Sequence, residues 1–490
     1  MRKAVPGFDT SVPALLVRID RNPFHHGTLG AARSLGRAGV PVHAVIESLT
    51  SPVARSRYVR GVHLSPDAPS PAELARFLLT LSDRLSGTGP ALLVPMDDIT
   101  ALALAEHRTA LTSRYLLPDQ TAERLVRVAD KAALVETCRA LGLPHPRTEI
   151  PTGPDEAAAM AWSLGLPVVA KWSRPWLLPT GSGLRSTSIV RSLAEVRALY
   201  ARTPQAGSRL LLQRLLPAGR HLDWFFHGYA DSTGGCSAAA TGRKERSWPH
   251  GAGLTAVGRW TPNPAVERIA RELLAALGHR GVVDLDLRLD RSTGTYHLLD
   301  FNPRPGAQFR LFADREGLDV VRAMHLDLTG RQVPPYSPAY GRRFVVENYA
   351  ALAVLTSPRR RPDAERGSEG GARYGCAGGT ETDAIPVAEP TAEAAAEPAA
   401  ESGDVSRRVE TAWFAADDPA PGLAMTWAWL RHALRKGLPA LRLPGRSDGF
   451  RPATGPATAL PSPPQSPPAA RVPSQEACEG GMTKGRARQA

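Results

Sequence analysis

The chain has few cysteines and no long apolar run. Only four cysteines occur among 490 residues, at scattered positions without the spacing of a zinc site, which favours a reducing compartment over a disulfide framework. No apolar stretch is long enough to span a bilayer, and residues 1–9 lack the apolar core of a signal peptide. We therefore expect a cytoplasmic protein without a transmembrane segment.

Aromatic residues are also scarce, at 6% of the chain, although the formal net charge is +13. A basic chain invites a nucleic-acid role, but no zinc-finger, helix-turn-helix or RNA-binding signature accompanies the charge. Arginine is spread along the whole chain, with one local cluster at residues 359–361. We expect no specific nucleic-acid partner, and we interpret the charge as solvated surface together with residues that handle anions.

The most informative stretch runs from residue 286 to residue 306 and predicts a β-hairpin. Asp300 and Asn302 are two residues apart, so on a strand their side chains share one face, and Asp286 falls on the adjoining strand. Hard oxygen ligands of this kind suit Mg²⁺, which proteins usually hold with one or two carboxylates plus nucleotide phosphates. Arg304 follows, and its guanidinium suits a phosphate or a carboxylate.

Earlier segments carry further basic and glycine-containing features. Lys131 begins a helical pattern, and Lys171 ends a short apolar strand, where a solvated snorkelling side chain is the alternative. Gly181 and Gly183 form a loop after that strand, and such a loop lets backbone N–H groups approach phosphate. A largely apolar strand, residues 210–216, then ends in a Pro-Ala-Gly break. The combination predicts a site for a phosphorylated ligand.

In their order and spacing these features resemble the ATP-grasp superfamily, over residues 12 to 350. The resemblance implies ATP, Mg²⁺ (or Mn²⁺ in its place) and an acyl-phosphate intermediate. It assigns nucleotide binding to Lys131, Lys171, Gly181, Gly183, Gln213, Arg214, Leu216, His221 and Asp223, metal binding to Asp286, Asp300 and Asn302, and anion contact at the reaction centre to Arg243, Lys244, Arg304 and Arg310. A surface pair is the alternative for His221 and Asp223, and a basic surface turn for Arg243 and Lys244.

The first part of the chain predicts a βαβ unit with a parallel sheet. Its glycine pattern is not a full Gly-x-Gly-x-x-Gly, which argues against nicotinamide binding. The segment resembles the Rossmann-like pre-ATP-grasp domain, which in relatives helps to hold the substrate. His25, His26, Asp97 and Asp98 follow strands, at the edge where ligands bind open α/β sheets. Capping or turn chemistry is the alternative for each of them.

We expect an α/β chain in five parts. They are a pre-ATP-grasp domain at 12–115, an ATP-grasp domain at 116–357, a disordered linker at 358–408, an amphipathic element at 409–445 and a disordered tail at 446–490. The amphipathic element predicts a helix with Leu423, Trp427, Leu430 and Leu434 on one face. That helix either docks on the catalytic core or lies on a membrane or a partner.

The resemblance implies an ADP-forming ligase that activates a carboxylate as an acyl phosphate and joins it to an amine. Amino acids and peptides are the first substrates to consider, and a homo-oligomer is compatible with the sequence. Two alternatives remain open within the superfamily, namely carboxylation and direct phosphoryl transfer. A third alternative is a nucleotide-binding scaffold that has lost turnover. The residue types do not identify the carboxylate or the amine.

Overall fold

Five parallel strands form the first sheet, as the βαβ pattern predicts. The computed structural model describes residues 7–85, 89–217, 219–248, 253–355 and 409–435. The strand order is β3-β2-β1-β4-β5, and every residue of β1 is buried, as expected for a parallel sheet covered on both faces. The elements are β1 (Ala14–Val17), α1 (His26–Arg37), β2 (Val42–Ile46), β3 (Val59–Leu64), α2 (Pro71–Ser82), β4 (Ala91–Pro95), α3 (Asp98–Glu106), α4 (Arg108–Leu111) and β5 (Tyr115–Leu116).

Two helices then lead into a four-stranded sheet with the order β6-β9-β7-β8. Its strands pair antiparallel, and their apolar side chains pack on the helices that connect them. The elements are α5 (Ala122–Ala129), α6 (Lys131–Ala140), β6 (Thr148–Glu149), α7 (Pro154–Leu164), β7 (Val168–Trp172), β8 (Thr187–Val190), α8 (Leu193–Tyr200), α9 (Thr203–Ala206) and β9 (Leu210–Arg214).

A seven-stranded sheet, with the order β14-β13-β10-β11-β12-β15-β16, forms the largest part of the fold. The predicted hairpin is present as β13 and β14, which pair antiparallel. The elements are β10 (Asp223–Ala230), β11 (Cys236–Trp248), β12 (Leu254–Trp260), α10 (Pro264–Leu277), β13 (Gly281–Asp290), β14 (Thr295–Asn302), α11 (Val320–Leu328), β15 (Arg343–Val345), α12 (Glu347–Leu355), β16 (Val409–Thr411) and α13 (Ala420–Arg435). Across the described ranges, no helix is both long enough and apolar enough to cross a membrane.

The C-terminal element docks on the core. Strand β16 pairs parallel with β15, Trp413 is fully buried, and buried Asp418 accepts a hydrogen bond from Arg33 Nε at 2.9 Å. The prediction of docking therefore agrees with the structure for this segment. The predicted linker 358–408 and tail 446–490 lie outside the described residues.

Docking does not bury the apolar face that the sequence predicts for α13. Leu423, Trp427 and Leu430 are 64%, 65% and 46% exposed, whereas Met425 is buried. The helical periodicity identifies an apolar face correctly, but β16 and Trp413 attach the segment, so α13 presents much of that face outward. The side chain of Leu434 lies outside the described part.

Removing residues 409–490 should lower the melting temperature, whereas removing only 446–490 should leave it unchanged. The longer truncation exposes the site of Trp413, whose burial is worth about 1.5–3 kcal/mol, and leaves buried Arg33 without its carboxylate partner. Differential scanning fluorimetry on the two truncations, with ANS binding as a measure of exposed apolar surface, tests this. Equal melting temperatures would show that the docked segment contributes nothing to stability.

Candidate active site

Four oxygen-bearing side chains lie on one face of the β13–β14 hairpin, and we call them the acidic wall: Asp284, Asp286, Asp300 and Asn302. Asp286 stands opposite Asp300 and Asp284 opposite Asn302 in the antiparallel register. Because residues two apart on a strand share a face, the register brings all four together. The pairing is irregular after Asp286, and Leu299 has no partner on β13.

Asp284 is the member of the wall that the sequence reasoning missed. Its Oδ2 accepts a hydrogen bond of 3.3 Å from Asn302 Nδ2. The Asp284-Leu285-Asp286 spacing was the available signal, because it places two carboxylates on one face of a strand. A third carboxylate increases the negative charge of the wall next to the predicted ligands.

Three lysines from three different elements meet this wall. Lys131 Nζ donates to both carboxylate oxygens of Asp300, at 2.6 and 2.7 Å. Lys244 Nζ on β11 lies 2.7 Å from Asp286 Oδ1. Lys171 Nζ on β7 donates to the carbonyl oxygen of Leu299 at 2.8 Å, where the ladder is irregular. The wall therefore lies beneath three ammonium groups.

Local structure explains how Lys131 is placed. Asp130 caps α6 by accepting a hydrogen bond from Ala132 N–H at 2.9 Å, and it also accepts one from Arg174 Nε at 2.7 Å. The backbone N–H of Lys131 donates to the carbonyl oxygen of Ser173 at 2.9 Å. Helix α6 is thus attached to the end of β7, and its first residue points across to the hairpin.

The surroundings of Lys171 and Lys244 shift their pKa values in opposite directions. Burial lowers the pKa of Lys171 to about 8, with Asp300 opposing the shift and Lys131 adding to it. Burial alone would also lower the pKa of Lys244, but the neighbouring Asp286 raises it. Burial would raise the pKa of Asp300, but Lys131 and Lys171 lower it. Lys171 therefore loses its charge at a lower pH than an ordinary lysine, and a bound phosphate would stabilise that charge.

Arg304 connects the wall to the first sheet. Its Nε donates to Asp98 Oδ1 at 3.0 Å and its Nη2 to Asn302 Oδ1 at 3.3 Å. Asp98 is the first residue of α3, so the edge of the parallel sheet reaches the hairpin through this pair. Burial is the main cause that lowers the pKa of His25, and the Arg18 and Arg304 charges lower it further.

The other polar residues predicted at this edge have structural partners. His25 Nδ1 accepts a hydrogen bond from Thr28 N–H and so caps α1. Asp97 caps α3 through Thr100 N–H, at 2.7 Å. His26 is buried against Trp413, with ring centroids 6.0 Å apart. Capping and packing thus account for these three contacts, while Asp98 contacts the hairpin.

Gly306 follows Arg304 and lies directly against the wall. A Cβ at this position would come within 2.4 Å of both Asp284 Oδ2 and His227 Cε1. His227 is fully buried, and its Nε2 lies 2.9 Å from Asp284 Oδ1. The backbone after the hairpin can approach the wall this closely only because the residue has no side chain.

Gly306→Ala should therefore displace Asp284 and lower turnover at least tenfold, with a lower melting temperature. A separation of 2.4 Å is far inside van der Waals contact, so either the wall or the loop must move. Gly294→Ala is a control for destabilisation of the same hairpin, because its φ of +67° strains any side chain. The added Cβ there meets nothing within 4 Å, so this variant should lower the melting temperature and keep turnover. Steady-state kinetics and fluorimetry on both variants test this, and normal turnover of Gly306→Ala would contradict the close approach.

A cavity of about 300 Å³ opens beside the lysines, between the four-stranded sheet and the hairpin. Gln213 on β9 contributes to it, while its Nε2 donates to Thr148 Oγ1 at 2.9 Å. Most of its lining is apolar, and its two lysines form a polar end near the wall, which suits a ligand with an apolar part and an anionic part. Its lining residues are Lys131, Leu134, Val135, Cys138, His145, Lys171, Leu211, Gln213, Leu298 and Leu299.

The rest of the predicted hinge has structural contacts near this cavity. Arg214 Nη2 donates to Asp290 Oδ2 at 2.6 Å. Leu216 is buried, and its carbonyl oxygen accepts a hydrogen bond from Arg288 Nη1 at 3.3 Å. Asp223 accepts one from Arg288 Nε at 2.6 Å. These contacts fasten the strand ends, so a nucleotide contact at these residues stays a prediction.

Four predicted residues are not brought to the wall by any described contact. Gly181 and Gly183 have φ values of +78° and +74°, which glycine adopts readily, in a loop after β7. Arg310 Nη1 donates to Asp319 at 2.6 Å and its Nε to Glu410 at 2.8 Å, so it fastens the C-terminal segment. His221 is exposed.

Arg243 and Lys244 are predicted together, but the structure separates their side chains. They are neighbours on β11, so their side chains point to opposite faces of the sheet. Lys244 shares the face of the acidic wall and pairs with Asp286, whereas Arg243 stands opposite Trp224 in the ladder. The strand geometry therefore keeps Lys244 as the candidate for anion contact.

The donor set fits Mg²⁺. Carboxylate and amide oxygens are the ligands that this ion prefers, and one or two carboxylates suffice when phosphates complete its shell. Within the described ranges, no group of three or more His, Cys, Asp or Glu side chains converges on a single point. Asp300 and Asp286 point at lysines instead. Asp286, Asp300 and Asn302 are the residues that would hold the ion together with nucleotide phosphates.

No protein-family model matches the chain, and no curated protein is similar to it in sequence. Solved structures do match. The biotin carboxylase domain of 2-oxoglutarate carboxylase from Hydrogenobacter thermophilus, in complex with MgADP, ADP and bicarbonate, has a TM-score of 0.51 and 15% identity, over 67% of this chain and 73% of that one.

Two further matches are enzymes of one kind. Carboxyaminoimidazole ribonucleotide synthase from Aspergillus clavatus, complexed with ATP, has a TM-score of 0.51 and 13% identity, over 68% of this chain and 81% of that one. N5-carboxyaminoimidazole synthetase from Staphylococcus aureus, complexed with ADP, has a TM-score of 0.50 and 11% identity, over 69% and 82%. Identities this low establish a likeness of fold and nothing finer.

Proposed function

We propose that this chain, which has an ATP-grasp fold behind an N-terminal α/β domain, is an ATP- and Mg²⁺-dependent ligase that joins a carboxylate to an amine. One observation carries the proposal. Three lysines and an arginine surround an acidic wall of four residues, next to a cavity suited to a nucleotide. Phosphoryl transfer needs cations of this kind around the phosphates and oxygen ligands for a divalent ion.

The lysine contacts suggest how the nucleotide would bind. Lys131 and Lys171 line the cavity and donate to Asp300 and to the Leu299 carbonyl oxygen. In our proposal the ATP phosphates replace these acceptors, and Asp300, freed from Lys131, would hold Mg²⁺ together with Asp286 and Asn302. When bound, Mg²⁺ neutralises charge on the phosphates during transfer. Because the phosphates take the place of the present acceptors, the ammonium groups of Lys131 and Lys171 stay paired, which avoids the cost of an unpaired buried charge.

The chemistry then requires no covalent nucleophile from the protein. A carboxylate oxygen of the substrate attacks the γ-phosphorus, the bond to the ADP oxygen breaks, and an acyl phosphate forms. The amine nitrogen attacks the acyl carbon, the bond from that carbon to the phosphate oxygen breaks, and phosphate leaves with the proton that the amine loses as the amide forms. Arg304 orients the carboxylate by a forked contact, and Lys244 offsets the charge that develops on the acyl phosphate.

A second candidate function is carboxylation through carboxyphosphate. The observation that favours it is the bicarbonate bound in the matching structure from Hydrogenobacter thermophilus. In that case bicarbonate takes the place of the organic carboxylate, and the acidic wall and lysines have the same roles. Direct phosphoryl transfer and a non-catalytic scaffold are further alternatives, and the intact wall makes the scaffold the weaker of the two.

An ADP-release screen tests these proposals. Amino acids, short peptides and hydroxy acids are supplied with amines, with and without bicarbonate, and product masses are read directly. ADP release that depends on a carboxylate and an amine, with a mass gain for the amide, supports the ligase. Release that depends on bicarbonate supports the carboxylase, and a stable phosphorylated product supports a phosphotransferase. ATP binding without ADP release under every condition would contradict all three enzymes.

A further inference from the structure

A second and larger cavity lies beside Arg304, between the first sheet and the start of the hairpin, and we call it the Arg304 cavity. It encloses about 500 Å³ and is bounded by α3, α5, α11 and the first residues of β13. That volume includes the open mouth of the cavity, and small-molecule sites favour domain interfaces of this kind. Most of its lining is apolar, including Ala101, Leu104, Leu117, Leu125, Val282 and Met324.

The charged residues of the lining are all basic. Arg108, Arg280 and Arg304 contribute to it, and no acidic residue does within the described ranges. Arg108 lies 3.3 Å from Asp119, and Arg280 Nη1 donates to the carbonyl oxygen of His279 at 2.9 Å. A ligand with an apolar body and an anionic group therefore matches the cavity better than a cation does.

Arg304 connects this cavity to the reaction centre. Its Nη2 donates to Asn302 of the acidic wall at 3.3 Å, and the same side chain lines the cavity. Its other hydrogen bonds are from Nε to Asp98, at 3.0 Å, and from Nη1 to the carbonyl oxygen of Pro305, at 3.3 Å. A guanidinium has five N–H donors. One N–H on each terminal nitrogen therefore has no acceptor among the described residues.

We propose that the Arg304 cavity holds the apolar body of the carboxylate substrate while Arg304 holds its carboxylate. This rests on the proposed function and names the substrate class: small monocarboxylic acids with an aliphatic or aromatic body. The two remaining N–H groups take the carboxylate in a forked contact. Asn302, 3.3 Å from the same guanidinium, then keeps the carboxylate next to the metal ligands. Polar hydroxy acids and short peptides fit this lining poorly.

Equilibrium binding tests the cavity without requiring turnover. Isothermal titration calorimetry of acetate, hexanoate and 3-phenylpropanoate into the full-length enzyme, with MgADP present, compares a short acid with two acids that have an apolar body. Hexanoate and 3-phenylpropanoate should bind at least tenfold more tightly than acetate. Ala105→Phe, which fills the cavity from α3, should remove that difference and leave MgADP affinity unchanged.

Two further variants keep the test decisive. Ala110→Phe adds the same side chain at an exposed position of α4 outside the cavity and should behave as wild type. Leu125→Ala enlarges the cavity and should shift preference toward octanoate, which covers the case in which Ala105→Phe fails to fold. Equal affinity for the short and long acids in the wild type would overturn the proposal and show that the cavity is only a packing void.

The outcome separates this inference from the proposed function. If apolar acids bind as described and no acid supports ADP release, the cavity is a binding site and the ligase proposal fails. If ADP release proceeds with polar acids and the Ala105→Phe variant leaves their KM unchanged, the ligase stands and the cavity proposal fails. Turnover of apolar acids whose KM rises at least tenfold in Ala105→Phe supports both.

Discussion

Asp300→Ala should abolish Mg²⁺-supported ADP formation and lower the melting temperature by only a few degrees. Asp300 contacts Lys131 through both carboxylate oxygens, and in our proposal it is one of few protein ligands to the metal. Its loss should cost several kcal/mol of transition-state stabilisation, roughly a thousandfold or more in rate. A coupled assay for ADP release, read beside fluorimetry, measures both quantities.

Asp155→Ala is the control for this prediction. Asp155 lies on α7 and pairs with Arg197, and neither residue belongs to the acidic wall or to the predicted nucleotide site, so its loss removes a paired carboxylate without touching the site. This variant should keep near-normal turnover. Turnover of Asp300→Ala within a few-fold of wild type would show that the wall is not the metal site.

Lys171→Met should weaken ATP binding strongly without destabilising the ligand-free protein. The ammonium of Lys171 is buried, and burial has already lowered its pKa to about 8, so an apolar end group of similar length costs the fold little. A charge-assisted hydrogen bond to phosphate is worth about 1.5–3 kcal/mol, roughly 10- to 100-fold in affinity. Calorimetric titration with ATP measures the loss of affinity, and a melting curve of the ligand-free variant measures its stability.

The pH dependence of the same titration gives a second measurement. The ammonium of Lys171 is lost as the pH rises through about 8 in the ligand-free protein, so ATP affinity should fall between pH 7 and pH 9. The unfolded chain holds this proton to higher pH, so the lowered pKa also makes folding stability rise with pH above about 8. Lys171→Arg stays charged and should flatten the affinity profile. Unchanged ATP affinity in Lys171→Met would make Lys171 a structural residue only.

The hairpin and the shared face of its oxygen-bearing side chains could be predicted because they depend on local spacing. Asp300 and Asn302 are two residues apart on a strand that a turn signal precedes, and the structure has this hairpin. The same rule would have identified Asp284, because it lies two residues before Asp286 on β13 and so shares its face. Its neighbour His227 could not be found in this way, because β10 brings it to the wall from 57 residues away in the sequence.

Contacts between distant elements explain the remaining differences between the predicted and the observed positions of side chains. The pairing of Asp98 with Arg304 depends on how the first sheet packs against the hairpin, which spacing along the chain does not encode. Arg310 carries the charge that a substrate contact requires, yet Asp319 and Glu410 take its donors. On α13 the periodicity predicted a helix, but the attachment of β16 to β15 decided which side chains face the core.

The fate of the carboxylate oxygen atoms tests whether the enzyme activates its substrate as an acyl phosphate. The enzyme is incubated with MgATP, an amine and carboxylates labelled with ¹⁸O, and the mass of the released phosphate is measured. An acyl phosphate transfers one carboxylate oxygen to phosphorus, so the proposed ligase should release phosphate that carries one ¹⁸O atom. The Asp300→Ala variant should release no labelled phosphate. The acyl-phosphate ligase would be contradicted if every carboxylate that supports ATP consumption gave unlabelled phosphate. It would also be contradicted if no carboxylate supported ATP consumption.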